Sequence, residues 1–588
     1  MKYNLNQREE QAEKQSTFTA IKNLIKLIAD EKKNMLFALV AILCNSALNL
    51  SGPFLIGYTI DHYVVTKQYH GVWVFSGILL AIYLMVLVTS YLQTKLMGTV
   101  GQQLLFTLRN AIFNKLQELP VAFFNQNKAG DLISRVNNDT DKLNQFFSQA
   151  LVQFIGGIAT MTGAAVFLLL INFKLGLATL LPALLIFIFT NFVSPWVKRK
   201  NAINLKSVGG MSAEIQESLG NFRVIVAFNR RDYFRKRFSK ANEANYATAI
   251  GAGLANNLLL PVYGLFSSFA QLVVLAYGIH LIIIGEFSVG LLISYLAYVV
   301  NFYNPLRQLA TLWSSFQVAM ASWDRISNIL TLESDLQIKE LNGYETPRSS
   351  SVLEFKDVYF AYPGGKEILH HINFNLQKGK TYALVGPTGG GKTTTASLMA
   401  RLYDPTAGTV LLNGRDIRFY QPYERSQKIG FILQEPFLFT GTVRENVLYG
   451  NQIFKLEDQH QLDEVIKERG LEELISIFEN GLESKVTSGG DGISLGQKQV
   501  IAFIRAVLRN PELLILDEAT ANIDTVTEML LDKILKNLSK DTTLVIIAHR
   551  LNTIESADEI FFINAGEVTL AGSFDDAVNK LTQGKRAS

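Results

Sequence analysis

Gly386, Pro387, Thr388, Gly389, Gly390 and Gly391 lead directly into Lys392, Thr393 and Thr394. Residues of these types in this order suit the cradling of a polyphosphate. Glycines let backbone N–H groups turn inward around the phosphates. The apolar run before them reads as a strand, and the segment after them reads as a helix whose N-terminus adds positive potential. Lys392 can reach the terminal phosphates, and the Thr393 hydroxyl can ligate magnesium. Farther along, Leu513, Leu514, Ile515 and Leu516 have the composition of a buried strand, and they end in Asp517 and Glu518. A parallel sheet presents such carboxylates to a ligand at the carboxyl ends of its strands. Asp517 suits magnesium held through water, and Glu518 suits a general base that orients an attacking water. The predicted chemistry is hydrolysis of a nucleoside triphosphate with Mg2+.

These groups need a sheet behind them, and from Val352 onward strand-like runs do alternate with helical ones. The chain ahead of that point is of another kind. The whole chain, at 588 residues, is too long for one core, and its mean hydropathy of +0.18 is high for a soluble enzyme. Uncharged stretches long enough to cross a bilayer occur at 35–60, 72–94, 143–173, 175–197, 244–285 and 287–306. The segments after the second and fourth of these are rich in Lys and Arg (Lys95, Arg109, Lys115, Arg135, Lys198, Arg199, Lys200, Arg223), whereas the intervening turns hold little charge beyond Asp61, Lys67, Lys174 and Glu286. By the positive-inside rule both termini are expected in the cytoplasm, on a multi-pass protein of the cell membrane. The same clustering excludes a nucleic-acid partner despite the net charge of +4, because no single basic stripe forms. Cys44 is the only cysteine, so no intrachain disulfide is possible. The opening residues lack the apolar core of a secretory signal, and 18–34 mixes apolar and basic side chains at the spacing of an interfacial helix. The cytoplasmic connections at about 95–141 and 198–243 are too long for turns and read as helical extensions of the spans.

The chain therefore divides into an N-terminal segment (1–33), a six-span domain (34–325), a linker (326–351) and a nucleotide-binding domain (352–588). The expected fold is multidomain: an all-α six-helix transmembrane domain with long cytoplasmic extensions, followed by an α/β P-loop ATPase cassette.

In this arrangement and motif order the chain resembles the ATP-binding cassette exporters over almost its whole length. The resemblance gives roles to residues that would otherwise pass as structural. Tyr362, in FAYP, is implied to stack on adenine, and Gln434, in FILQEPFLF, to contact magnesium. Asp524 lies in the implied dimer-contacting loop, and His549, in IIAHRLNTI, is implied to hydrogen-bond the γ-phosphate. The segments 119–139 and 216–232 resemble the cytoplasmic coupling segments, each expected to place a short helix on a cassette surface, the second on the partner's. Glu518, His549 and Lys392 are then the catalytic set.

Two positions depart from the family pattern. Where a Leu-Ser-Gly-Gly-Gln signature is expected, this chain has Ile493, Ser494, Leu495, Gly496 and Gln497. A leucine side chain thus stands where backbone should approach the γ-phosphate of the ATP held by the opposite cassette. Ser488 stands where related exporters often carry a glutamate. An intact phosphate loop and base beside a weakened signature resemble one half of a heterodimeric exporter, whose non-identical partner half supplies the good signature. For cargo, spans without deep ionisable groups suit hydrophobic or amphipathic small molecules. The family resemblance makes multidrug export the leading expectation. A lipid or lipid-linked exporter or flippase and a homodimer are the alternatives, and an ATP-gated channel or a regulatory membrane subunit stands behind them. No peptidase domain precedes the first span in this sequence, so a peptide-processing exporter is the less expected reading.

Overall fold

The computed structural model describes residues 3–5, 7–8, 17–27, 31–339, 350–451, 453–454, 459–490, 492–517, 525–538, 541–547, 555–572, 575–576 and 579. The chain forms two compact units. One comprises Ala12–Asn114 and Leu132–Leu330, and the other comprises Met1–Gln11, Lys115–Asp131 and Thr331–Ser588.

The first unit begins with a helix over Thr17–Leu27 (α1), where the sequence predicts an interfacial one. Six helices long and apolar enough to span a membrane follow: Lys32–Val64 (α2), Tyr69–Glu118 (α3), Ala129–Ile171 (α5), Phe173–Gly220 (α6), Arg231–Ile283 (α8) and Val289–Leu330 (α9). Short helices occupy the two connections that the sequence predicts to be cytoplasmic, Val121–Gln126 (α4) and Phe222–Ala227 (α7). Helix is the only open-ended element that satisfies its own backbone in lipid. At 50, 48 and 53 residues, α3, α6 and α8 are far longer than the roughly 20 residues a bilayer needs. The excess is the polar extension expected from the sequence. Asn172 starts α6 cleanly, its side chain accepting from the Leu175 N–H at 3.0 Å.

Helix α9 threads the middle of this unit. The hydroxyls of Tyr295, Tyr298 and Tyr303 donate to the carbonyls of Leu168, Leu50 and Thr179 at 3.0, 2.7 and 2.7 Å. Each buried phenol is thereby satisfied on a different neighbouring helix. Gly57 and Gly290 let α2 and α9 touch, since a Cβ on either would fall 2.4 or 2.1 Å from the other's carbonyl oxygen. At the start of α9 the Asp61 carboxylate accepts from the Gly290 N–H at 2.8 Å and from the Ser288 hydroxyl. Toward the other end, buried Asp139 accepts from Arg325 Nε at 2.8 Å and from the Ser322 hydroxyl at 3.2 Å. That clamp helps hold the chain helical as far as Leu330, past the boundary at 325 suggested by sequence.

The second unit carries the α/β fold. A four-stranded antiparallel sheet runs in the order β2 (Glu367–Gln377), β1 (Ser351–Ala361), β4 (Ala407–Leu412), β5 (Arg415–Asp416). A six-stranded sheet runs in the order β12 (Glu567–Ala571), β11 (Glu559–Asn564), β3 (Thr381–Val385), β10 (Thr543–Ile547), β9 (Leu513–Asp517), β6 (Ile429–Ile432). Its neighbours are parallel except β11 with β12. The strands β3 and β9 are buried almost throughout, which is why their sequences read as continuous apolar runs. Gly441–Thr442 (β7) and Lys485–Val486 (β8) pair separately.

Candidate nucleotide site

Three parallel strands end on one edge of the six-stranded sheet, and the predicted ligands sit at those ends. β3 runs into the glycine loop. β9 ends in Asp517, which is 5% exposed. β6, in register with β9 as Ile432 opposite Leu516, runs on to exposed Gln434. Between β3 and β9 lies β10, in register with both. The carboxyl edge of a parallel sheet is where such folds bind ligands.

The loop has its shape because its glycines cannot be replaced cheaply. Gly386 has φ +149° and a Cβ there would fall 1.9 Å from the Ile563 carbonyl oxygen of β11. Gly391, at φ +112°, caps the helix Lys392–Met399 (α10) with no side chain over its first N–H groups. A helix N-terminus of that kind presents donors and positive potential to an anion. Lys392 is 6% exposed, and its Nζ donates to the carbonyls of Gly386 and Pro387 at 2.8 and 3.0 Å, so the ammonium is held against the loop. Pro387, Thr388 and Gly389 form the outer turn, with Gly390 N–H donating to the Pro387 carbonyl at 3.1 Å. Thr393 is exposed at the first turn of α10. Thr394 is buried, and its hydroxyl lies 3.2 Å from that of Tyr362. The donor set that would hold Mg2+ (the Thr393 hydroxyl, the Gln434 amide oxygen and the Asp517 carboxylate) is made of hard oxygens, as that ion requires.

Tyr362 belongs to a cluster that sequence reasoning did not find. Its ring meets Phe360 at 4.9 Å and Tyr403 at 5.1 Å, both edge-on. Tyr403, 9% exposed, accepts at its hydroxyl from Asn125 Nδ2 of α4 at 2.8 Å. Burial pushes its phenol above the ordinary range, which keeps it neutral. No short motif marks Tyr403. The available signal is its place after the end of α10, where Arg401 takes φ +53°. Arg401 itself is 2% exposed and donates to the carbonyls of Gln337, Ile417 and Arg418 and to Asp404. Equally unforeseen is Tyr3. Its backbone N–H donates to Gln126 Oε1 at 2.9 Å, its carbonyl accepts from Asn127 Nδ2 at 2.9 Å, and its hydroxyl joins the Glu333 carbonyl and the Asp335 N–H.

The signature residues stand apart. Ser494 caps the helix Leu495–Val507 (α11) in a reciprocal box, with Gln497 N–H on the Ser494 hydroxyl at 3.2 Å and Ser494 N–H on Gln497 Oε1 at 3.0 Å. None of the hydrogen bonds described for these two residues reaches the phosphate loop. Leu495, 38% exposed, and Gly496 follow in the first turn of the capped helix. The predicted base Glu518, the loop residue Asp524 and His549 lie outside the described residues.

Membrane-length helices and a P-loop cassette on one chain define an ATP-driven membrane transporter, and one of each makes it half of one. The family model for the ABC transporter transmembrane region matches residues 35–306, and that for the ABC transporter cassette matches 369–521. An uncharacterised ABC transporter ATP-binding protein of Bacillus subtilis is 32% identical over 97% of this chain and 94% of its own. A multidrug resistance ABC transporter ATP-binding and permease protein of Lactococcus lactis subsp. lactis is 30% identical over 95% and 94%. An ATP-dependent lipid A-core flippase of Syntrophus aciditrophicus is 29% identical over 94% and 91%. The chain belongs to the ABC transporter family: it is a multi-pass half-transporter of the exporter type, with an ATPase coupled to transport.

Proposed function

We propose that this half-transporter works in a heterodimer that exports hydrophobic or amphipathic compounds across the cell membrane, hydrolysing ATP at its own phosphate loop. The observation that carries the unequal pairing is the contrast between the loop and α11. The helix after the loop starts with no side-chain cap and a buried lysine, whereas the capped start of α11 presents the exposed side chain of Leu495. ATP at the loop is bound by the Gly386–Thr394 backbone, Lys392 and the ring of Tyr362, and is closed over by the partner half's signature. Thr393, Gln434 and Asp517 would hold Mg2+, which would supply positive charge to offset that on the transferred phosphoryl group. Glu518 orients the attacking water and His549 holds the γ-phosphate. Because ATP binds the closed pair better than the open one, its differential affinity shifts the conformational balance.

Support for contact with a second cassette comes from α7, where Phe222, Val224 and Phe228 are 53%, 55% and 74% exposed. An apolar knuckle at a cytoplasmic helix tip needs a cover. The charge pattern of the turns supports cytoplasmic termini. Multidrug cargo is supported by the Lactococcus relative, and the lipid reading by the Syntrophus one. The test is co-purification from the native membrane followed by Glu518→Gln. A non-identical partner, with turnover falling at least ~100-fold while nucleotide binding persists, is expected. A stable homodimer with full turnover would remove the heterodimer, and normal turnover of the variant would remove Glu518 as base.

A further inference from the structure

The first unit holds two adjoining hollows with opposite linings. One, of about 350 Å³, is walled by carbon: Ile21 of α1, Met35 of α2, Phe147 and Leu151 of α5, and Trp313 and Phe316 of α9. The other, of about 360 Å³, is lined by Gln145, Gln149 and Gln153 of α5 with Thr311, Ser314 and Ser315 of α9. Phe146 and Leu312 line both, so the two hollows adjoin. Phe146 and Trp313 each pack on Phe316, at 5.5 and 5.3 Å between centroids, which makes the shared wall stiff.

Depth follows from α1. Its sequence sets Lys22 and Lys26 against apolar neighbours, the pattern of a helix lying at the headgroup level, and Ile21 lines the apolar hollow. The hollow therefore lies beside the inner leaflet. The three glutamines recur every fourth residue along one stripe of α5 and are all exposed. An amide facing lipid with no hydrogen-bond partner is costly, so the stripe borders a water-filled cavity. Lys142, the cation lining the polar hollow, lies 3.3 Å from Asp139, a carboxylate that it shares with Arg325.

We infer that the paired hollows are a binding site for a single-tailed amphiphile with a hydrogen-bonding headgroup, its tail beneath α1 and its headgroup on the Gln145–Gln149–Gln153 stripe. This rests on the exporter reading and narrows its cargo. Taking about 30 Å³ per unit, as for a water in the liquid, the apolar hollow holds roughly a dozen methylenes. That suits one chain of middling length. Both volumes fall within the range of small-molecule sites.

The experiment uses the full pair in lipid nanodiscs. Two probes carry a diazirine in the tail: dodecyl maltoside added from water, and a phosphatidylethanolamine placed in the bilayer. The maltoside is expected to label peptides covering 146–154 and 312–320. Leu151→Trp and Met35→Trp, which fill the hollow, should each cut that label at least ~10-fold with basal ATPase unchanged, and Gln149→Leu should cut it up to ~10-fold. Absence of label there, or label indifferent to both tryptophan variants, overturns the site. Label from the phospholipid that the maltoside fails to displace identifies a resident bilayer lipid and overturns the cargo assignment. Cross-linking of these segments to the partner half alone means that protein fills the hollow, which also overturns it. Labelling needs no ATP, so a pair that labels without transporting refutes the exporter reading, and one that transports without labelling refutes only this site.

Discussion

Replacing Tyr3 tests whether the extreme N-terminus is a structural member of the cassette unit. Tyr3 and Leu5 are both 0% exposed. The Tyr3 ring meets Phe123 of α4 edge-on at 6.3 Å, and its hydroxyl takes the Asp335 N–H at 2.9 Å. Burial pushes the phenol well above its ordinary range, so it stays a neutral donor. Tyr3→Phe keeps the ring and orphans the Asp335 N–H, at a cost of about 1–2 kcal/mol. Tyr3→Ala also removes a fully buried aromatic, for which about 3–5 kcal/mol is usual. At 1.4 kcal/mol per tenfold, local opening of the segment should rise roughly 100- to 1,000-fold or more for the alanine variant and about tenfold for the phenylalanine variant. Amide exchange is the assay, read on peptides covering 121–127 and 333–337. Both should lose protection in that order of severity. If Tyr3→Ala loosens only residues 3–5 and leaves 121–127 at wild-type rates, the N-terminus rests on α4 without holding it, and the reasoning fails.

Gly386→Ala should weaken nucleotide binding by roughly 10- to 100-fold, because the new Cβ meets the Ile563 carbonyl and strain of about 1–3 kcal/mol falls on the loop. Gly389→Ala, at φ +82° with open space around its Cβ, should cost no more than about tenfold, and fluorescent-nucleotide titration separates the two. A third expectation concerns pH. Burial pushes the Glu512 carboxyl up, but Lys428 and Asn413, at 2.6 and 2.7 Å, outweigh it and leave the group below its ordinary value. A carboxylate depressed on folding stabilises the fold above its unfolded pKa, and that stability is lost as pH falls through the lower, folded value. Thermal unfolding of the wild type should therefore show an acid-side decline below about pH 4.5 that Glu512→Gln flattens. An unchanged acid slope in the variant would remove this ion pair from the pH response.

What the sequence made legible was what lies close together in it. The phosphate loop is contiguous, its shape is set by glycines at positive φ, and the strand and helix around it announce themselves by composition. Span length was legible for the same reason, since about 20 uncharged residues have few other uses. The helix end at Leu330 was not, because Asp139, the anchor for Arg325, is far away in sequence. Nor was the Tyr362–Tyr403 contact, which exists only once β1 and the end of α10 lie side by side. Tyr3 gave no signal at all: a tyrosine among charged residues looks like a surface residue until its partners, at 126, 127, 333 and 335, fold around it.

Those distant contacts converge on the helix that follows the phosphate loop. α4 reaches it through Asn125 and Tyr403, whose ring abuts Tyr362, and Tyr362 in turn meets Thr394 on α10. Tyr3 binds α4 on one side and residues 333–335 on the other, and Gln337, two residues farther on, is held by Arg401 just past the end of α10. Both routes start at α4, one passing along the start of α10 and the other joining its end. A shift of α4 thus cannot leave α10 undisturbed without breaking both the Asn125 bond to Tyr403 and the Tyr3 bonds to Gln126 and Asn127. In a close-packed interior such contacts break or hold together rather than stretch. Tyr403→Phe, which removes only the Asn125 acceptor, isolates the first route while leaving the second intact.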